Sequence, residues 1–373
     1  MRAMNNTRAM KLWLLAALLF FTGMANAQKI TVTDTDGNPV PYASVMTQDA
    51  KFVGITDLNG VLADAKGNKQ LSITHVAYKT KEVDVTTLAD GRVTLEDSDF
   101  GLEEITVSPK PFVYVQTYYR CIFYDETDGV KYYRAGLTDN VIDRQKKENK
   151  AKTRHISKAF IGIVKTLLNM LAGSAIDNQS QIRTNKFEKS LIRHGKEVGL
   201  TITEESPNKK IIRDTFGIVG QIIDDKEAGQ RHFAYDSHLI HKHKVQAGGN
   251  EKKIKKLEAR DEKKKNRKDA DFTIYQIDED GNYLPEDFVM QQYLSDYDEV
   301  GKDGSLTHNF MLVQVFSIER AYATKDEVKQ IKKDNKLEKS YEAIQQFERQ
   351  NKIPDLPEAV QQKLNELWKI DKD

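Results

Sequence analysis

The pattern of hydrophobic and polar residues begins with the period of a β-strand. Between residues 29 and 107, short alternating stretches such as those at 30–33 and 82–85 are separated by turn residues. The intervals of about 8–12 residues are typical of a small all-β sandwich or barrel. Asp-Gly-Asn-Pro at 36–39 and Asp-Leu-Asn-Gly at 57–60 favour tight turns between such strands.

A second region begins after Ser-Pro-Lys-Pro at 108–111, because two prolines in close succession resist both helix and central strand. Aromatic-rich stretches at 113–124 and 131–136, joined by Asp128-Gly129, predict a long β-hairpin. We expect its aromatic side chains to be buried; an exposed tyrosine stripe that stacks on sugar rings is the alternative. Further strands are predicted near 211–223, 272–277 and 310–316.

Helical patterns are found in two places. The apolar residues of 157–172 predict a helix that packs on the sheet, with insertion at a membrane surface as the alternative. Near the C-terminus, Thr324 and Glu327 have the spacing of a capping box, and a further helix is predicted from Pro357. We expect Trp368 of that helix to pack on the preceding domain.

The first 27 residues have the order of a secretory signal peptide. Basic residues precede an apolar run at 12–21, and Ala25-Asn26-Ala27 fits the small-residue cleavage rule. The run is too short to span a bilayer comfortably, which disfavours an uncleaved anchor. We therefore expect cleavage before Gln28, export, and no transmembrane span after cleavage.

Composition narrows the class of protein. The 57 basic residues nearly balance the 56 acidic ones, and 39% of residues are hydrophobic, so neither a wholly disordered chain nor a nucleic-acid binder driven by global charge is expected. Cys121 is the single cysteine, which leaves no intramolecular disulfide and no lipid-bearing cysteine near the predicted cleavage point. We expect Cys121 to be a packed strand residue and the protein not to be a lipoprotein.

Four motifs resemble a known family. They are Asp-Gly-Asn-Pro-Val-Pro-Tyr-Ala-Ser-Val at 36–45, Thr-Asp-Leu-Asn-Gly at 56–60, Val-Ala-Tyr-Lys-Thr at 76–80 and Leu-Glu-Glu-Ile-Thr-Val at 102–107. In this order they resemble the carboxypeptidase regulatory-like domain that is common in exported Bacteroidetes proteins. The resemblance is limited to about residues 29–107, and Ala77 stands where the family usually has glycine.

The resemblance implies a transthyretin-like sandwich of about seven strands with a structural or interaction role and no catalytic zinc site. Such domains also precede outer-membrane transporter barrels, so an accessory role in outer-membrane uptake is an expectation by analogy. The Lys- and Glu-rich C-terminal third lacks the repeated alternating segments of such a barrel.

These observations predict an all-β N-terminal sandwich followed by an α+β domain with an antiparallel sheet and C-terminal helices. The expected segments are a signal peptide at 1–27, the sandwich at 28–108, the α+β domain at 109–323 with a charged insertion around 242–268, and the helices at 324–373.

The charged insertion is strongly basic. Residues 242–268 hold 12 Lys or Arg against four acidic residues, whereas residues 269–305 hold 11 acidic residues against one Lys. We interpret the basic run as a solvated helix or loop that pairs with its acidic neighbour. Binding of anionic lipid headgroups or polyanions is the alternative, and nucleic acid is disfavoured because no aromatic residues are interleaved in the run.

Two groups of histidines are candidates for metal chemistry. His238, His241 and His243 could supply nitrogen ligands to zinc or copper, and on a strand the last two would share a face. The second group is His194 and Glu197, with His308 downstream, an order that superficially resembles zinc carboxypeptidases. The alternating strand and helix pattern of that enzyme is missing, so this group is not the favoured interpretation.

The leading functional hypothesis is a non-enzymatic, exported cell-envelope protein, in the periplasm or associated with the outer membrane, that binds a protein, glycan or lipid partner. We expect no cofactor and no catalytic residues. The alternative is a metal-dependent hydrolase in residues 109–323 that uses His238, His241 and His243 or His194 and Glu197.

Overall fold

A computed structural model describes residues 29–65, 67–88, 90–101, 108–125, 129–159, 181–183, 187–334 and 340–369. The predicted signal peptide, the motif at 102–107 and most of the helix predicted at 157–172 lie outside these residues. The protein is mostly β, with 48% of the described residues in strands and 24% in helices. Several sheets and a few C-terminal helices are present, as the sequence predicts.

The N-terminal unit, residues 30–101, contains two small sheets. Its strands are β1 Ile30–Thr33, β2 Ser44–Thr47, β3 Phe52–Ile55, β4 Val61–Leu62, β5 Gln70–His75, β6 Tyr78–Asp84 and β7 Arg92–Thr94. One sheet has the order β4-β1-β7 and the other β3-β2-β5-β6. Gly60 has a φ of 70°, and a Cβ there would lie 2.3 Å from the Val32 carbonyl oxygen, so this turn requires glycine.

The second region is dominated by one large antiparallel sheet. Its strands are β8 Phe112–Asp125, β9 Gly129–Asp143, β10 Glu148–Ala159, β11 Thr201–Ser206, β12 Lys209–Asp214, β13 Gly217–Asp225, β14 Gln230–Asp236, β15 Lys264–Gln276, β16 Phe288–Val300 and β17 Leu306–Ala323. The strand order is β10-β9-β8-β17-β16-β15-β14-β13-β12-β11. Each neighbouring pair is antiparallel.

The predicted aromatic hairpin is formed by β8 and β9. Tyr118, Tyr119 and Tyr132 are fully buried, so the alternative of an exposed tyrosine stripe is wrong. Cys121 is also fully buried, as expected, and burial raises the pKa of its thiol to about 12. At the far edge, residues 157–159 pair with β9 as part of β10, so the described start of the predicted helix is strand.

Six α-helices lie in the described residues. They are α1 Phe187–His194, α2 Ser237–Gly248, α3 Glu251–Lys263, α4 Lys325–Asp334, α5 Tyr341–Gln350 and α6 Glu358–Lys369. The capping box of α4 is confirmed, since the Thr324 amide donates to Glu327 Oε2 at 2.7 Å and the Glu327 amide to Thr324 Oγ1 at 3.4 Å. Trp368 of α6 packs edge-on against Tyr133 at 5.7 Å between ring centroids, which confirms its docking onto the sheet.

The charged insertion forms the end of α2, then α3, and then the start of β15. Its last lysines lie opposite acidic residues of β16 in the strand register. The opposed residues are Lys264 and Glu299, Lys265 and Asp298, and Lys268 and Asp296.

Successive side chains of a strand point to opposite faces of the sheet, and the strands of the large sheet carry apolar side chains on both faces. Both faces are therefore covered by other parts of the protein. One face, here called the N-terminal face, packs against the N-terminal unit and the C-terminal helices in one hydrophobic cluster. Phe52 stacks on Phe310 at 3.8 Å between centroids, and Gln292 Nε2 donates to the Tyr42 carbonyl at 3.0 Å. The opposite face, here called the α2 face, packs against α1, α2 and the segment around Ile182.

In the part of the chain that the structure describes, every helix is too short or too polar to cross a membrane.

Candidate functional site on the α2 face

Helix α2 is held on the sheet at the point where β14 ends. Asp236 is the last residue of β14 and caps the helix, because its Oδ1 accepts from the Leu239 amide at 2.8 Å. Ser237 Oγ donates to the Asp269 carbonyl of β15 at 3.0 Å. Ile240 is buried in the hydrophobic cluster of this face. The helix is therefore fixed at its first turn, and a cleft lies on each side of it.

The first cleft, here called the Asp271 cleft, lies between α1, α2 and the sheet and has a volume of about 400 Å³. Its lining combines polar and charged side chains with a few apolar ones. The residues are Arg183, Ser190, Leu191, His194, Tyr235, Ser237, Ile240 and Asp271.

Asp271 is the acidic residue of the cleft lining, and only 2% of its surface is exposed. Burial raises the pKa of its carboxyl to about 7, although a hydrogen bond with Ser237 and the charge of Arg183 act in the opposite direction. The carboxyl can therefore accept or donate a hydrogen bond near neutral pH.

Arg183 supplies the positive charge of the Asp271 cleft. Burial opposes its charged form, but Tyr235 and Asp271 favour it and together raise the pKa of the guanidinium. The guanidinium also lies over the ring of Phe187, 5.3 Å from its centroid. Cation and carboxyl thus offset each other, and both are held in place by neighbouring side chains.

His194 lines the same cleft, and Lys244 contacts both members of the proposed pair of His194 and Glu197. The Lys244 ammonium donates to the His194 carbonyl at 3.2 Å and lies 3.1 Å from Glu197 Oε2. Burial and the charge of Lys244 lower the pKa of His194. His308 lies instead on β17 and stacks on Phe52 of the N-terminal unit at 5.3 Å, on the N-terminal face.

The three histidines at 238, 241 and 243 lie on helix α2 and not on a strand, so the expectation of a shared face for His241 and His243 is wrong. Residues two apart on a helix point about 200° apart. His243 Nδ1 contacts Asp214 Oδ2 at 2.6 Å, whereas His238 Nε2 lies 3.8 Å from Asp261 Oδ1. Across the described ranges, no group of three or more His, Cys, Asp or Glu side chains is arranged to hold a metal ion.

The second cleft, here called the cationic cleft, lies on the other side of α2, between it, α3 and the start of β15. Its volume is about 690 Å³. The lining residues are Asp236, His238, Leu239, Lys242, Asp261, Lys264, Lys265, Asn266, Arg267 and Lys268.

Asp271 lies within the acidic segment 269–305, whose charge alone does not distinguish it from the other carboxylates there. The available signal was its position in Asp-Ala-Asp-Phe-Thr-Ile-Tyr at 269–275, where polar and apolar residues alternate. A carboxylate within such a strand lies on one face with every second residue. Arg183 and Tyr235 carried no comparable signal, because they reach the cleft from separate elements.

No protein-family model matches the chain, and no curated protein matches it. Among solved structures, a protein of unknown function from the DUF3598 family of Nostoc punctiforme PCC 73102 was found. It shares 6% sequence identity, and the match covers 74% of this chain and 94% of that chain with a TM-score of 0.15. A TM-score this low carries no argument about fold or function.

Proposed function

We propose that this is an exported, non-enzymatic binding protein of the cell envelope, with a carboxypeptidase regulatory-like module attached to a larger ligand-binding domain. The order of charged, apolar and small residues at 1–27 supports export. The strands of the N-terminal unit support the module, because they form two sheets with a turn at each of the three motifs that the structure describes, 36–45, 56–60 and 76–80. A transthyretin-like sandwich of about seven strands is the arrangement that we propose for it.

The observation that carries the binding function is the Asp271 cleft. Its volume of about 400 Å³ is in the range of small-molecule sites, and its polar groups converge on one space. Leu191 and Ile240 provide apolar wall, while Ser237 and Asp271 provide hydrogen-bonding groups. This combination of walls and fixed polar groups is typical of a ligand site.

The charges in the cleft favour a neutral, hydroxyl-rich ligand. Arg183 and Asp271 offset each other, so the cleft has no excess charge that could balance the charge of an ionic ligand. A sugar hydroxyl both donates and accepts, which matches a carboxyl with a pKa of about 7 beside hydroxyl and imidazole groups. We therefore propose a glycan segment of one or two sugar rings as the ligand.

The N-terminal unit supports this site from the opposite face of the sheet. Its Phe52 and Phe100 pack on Phe310 and Phe316 of β17, with ring centroids 3.8 Å and 5.2 Å apart. Binding sites are most specific when their framework is rigid. We propose that the module stabilises the large sheet and so keeps the Asp271 cleft rigid.

The test is saturation-transfer NMR of the mature chain with a panel of mono- and disaccharides. Ser190→Trp should abolish binding, because Ser190 lines the cleft and an indole would fill it. Ile192→Trp is the matched control, since Ile192 lies on the same helix with 42% of its surface exposed. Equal binding by both variants, no binding by the wild type, or hydrolysis of a bound saccharide would overturn the proposal. Thermal unfolding of each variant verifies that it folds.

A further inference from the structure

The cationic cleft has an excess of positive charge. Its lining holds five Lys or Arg side chains against two carboxylates, those of Asp236 and Asp261. Asp236 is engaged as the cap of α2. Asp261 lies 4.0 Å from the Lys242 ammonium and 3.8 Å from His238 Nε2. Asp261 offsets Lys242, and Asp269 pairs with Arg267. The excess positive charge therefore comes from the three remaining lysines of the lining, Lys264, Lys265 and Lys268.

The cations are held close together by the fold. Arg267 is fixed by Asp269, because its Nη2 donates to Asp269 Oδ2 at 2.6 Å. The Lys264 ammonium lies 3.9 Å from the centroid of the Tyr297 ring. Burial and the charge of Arg267 lower the pKa of Lys264, as expected for cations that repel one another.

Arg260 provides the observation that points to a ligand. Its guanidinium lies beside the cleft, with Nε 3.8 Å from Asp261 Oδ1. Its Nε and Nη2 atoms are buried and donate to no acceptor in the described protein. A buried N–H group without an acceptor is costly, and arginine cannot relieve that cost by losing its proton. A ligand with several oxygen acceptors and negative charge would satisfy both the charge and the donors.

We propose that the cationic cleft binds a phosphate group, either as a free phosphate compound or as the headgroup of an anionic lipid. Phosphate oxygens accept several charge-assisted hydrogen bonds at once, and guanidinium and ammonium groups are the side chains that match them. The site is separate from the Asp271 cleft and does not depend on glycan binding. Phosphate binding would give the basic run 242–268 a function in addition to the pairing of its last residues with β16.

The first experiment titrates the mature chain with inorganic phosphate by isothermal calorimetry at low salt. The double variant Lys242→Gln/Arg260→Gln should weaken binding about tenfold or more, since it removes one lining ammonium and the guanidinium whose Nε and Nη2 lack an acceptor. Lys252→Gln/Lys256→Gln is the matched control, because it removes two charges from exposed positions of the adjacent helix. It should change the affinity less than about twofold. Circular dichroism verifies the fold of both.

The second arm distinguishes the two sources of phosphate. Flotation with vesicles of phosphatidylcholine, with and without phosphatidylglycerol, tests the lipid headgroup. Capture by the anionic vesicles that the cleft variant loses and the control variant keeps assigns the headgroup, whereas phosphate binding without capture assigns a free phosphate compound.

Equal weakening in both double variants would overturn the proposal, because it would show nonspecific attraction. Absence of both phosphate binding and vesicle capture in the wild type would also overturn it. The Ser190→Trp variant should retain phosphate binding, so failure of the glycan proposal is distinguishable from failure of this one.

Discussion

The fully buried His75 and the half-buried His308 have opposite electrostatic environments. His75 is fully buried, and burial followed by the charge of His232 lowers its pKa to about 3. His308 lies between two carboxylates, with Nε2 3.1 Å from Asp296 Oδ1 and Nδ1 2.8 Å from Asp298 Oδ1. Burial lowers the pKa of His308, but hydrogen bonds and charges from Asp296 and Asp298 outweigh it and raise the pKa above 6.5.

A pH-dependent contribution to stability follows for His308. Because its pKa is higher in the folded state, its stabilisation is fully present below about pH 6.5 and is lost as the pH rises through the folded pKa. The difference in free energy of unfolding between the wild type and His308→Gln should therefore shrink as the pH rises above about 6.5. Urea unfolding of both proteins across this range measures it. A difference that is constant with pH would contradict the assignment, and comparing the two proteins cancels the titration of His75.

At the scale of elements, a buried arginine joins the sheet to the C-terminal helices. Arg120 of β8 is 1% exposed, and its Nη1 donates to Glu348 Oε1 of α5 at 3.0 Å. Its Nη2 donates to the Pro354 carbonyl at 2.6 Å, and its Nε to Gln314 at 2.8 Å. Burial of a guanidinium is tolerated only with such complete pairing. The contact therefore fixes where α5 docks.

Removal of one partner should be strongly destabilising. Glu348→Leu leaves a buried, uncompensated cation, and we expect a loss of about 3 kcal/mol or more in the free energy of unfolding. The double variant Arg120→Met/Glu348→Leu should recover most of that loss, since it replaces the pair by apolar groups of similar size. Denaturant unfolding of the single and double variants measures both values. A single variant as stable as the wild type would show that the pair is unimportant.

At the scale of the whole molecule, the N-terminal unit and the α2 face have different relations to the large sheet. The N-terminal unit shares a hydrophobic cluster with it, in which Val76 and Phe100 contact the same core as Phe272 and Phe316. The α2 face holds both candidate clefts. The sheet thus separates a supporting side from a side that offers ligand sites.

Deletion of residues 28–101 should expose the apolar N-terminal face of the sheet. We expect the truncated chain to associate and to bind a hydrophobic dye, because exposed apolar patches of this kind promote aggregation. Size-exclusion chromatography and dye fluorescence measure this. Phe52→Ala is a milder test that should reduce stability by about 3 kcal/mol or less, since Phe52 is only partly buried where it stacks on Phe310. A monomeric truncated chain that unfolds cooperatively would contradict the supporting role.

Local features of this protein could be predicted from its sequence because the interactions that produce them span few residues. The turn at Gly60 follows from Asn-Gly chemistry, the start of α4 from the spacing of Thr324 and Glu327, and the hairpin of β8 and β9 from alternating apolar residues. Burial of Cys121 follows from the same alternation. Each of these signals lies within one or two adjacent elements.

The ligand clefts could not be predicted, because they depend on which strands become neighbours and what packs over them. His238, His241 and His243 were compatible with strand or helix, and the helix places His243 on the side opposite His241. Arg183 and Tyr235 are 52 positions apart in sequence but meet Asp271 of β15 in one cleft. Periodicity specifies the face of a strand to which a side chain belongs, while the strand order and the helices laid across it specify its partners.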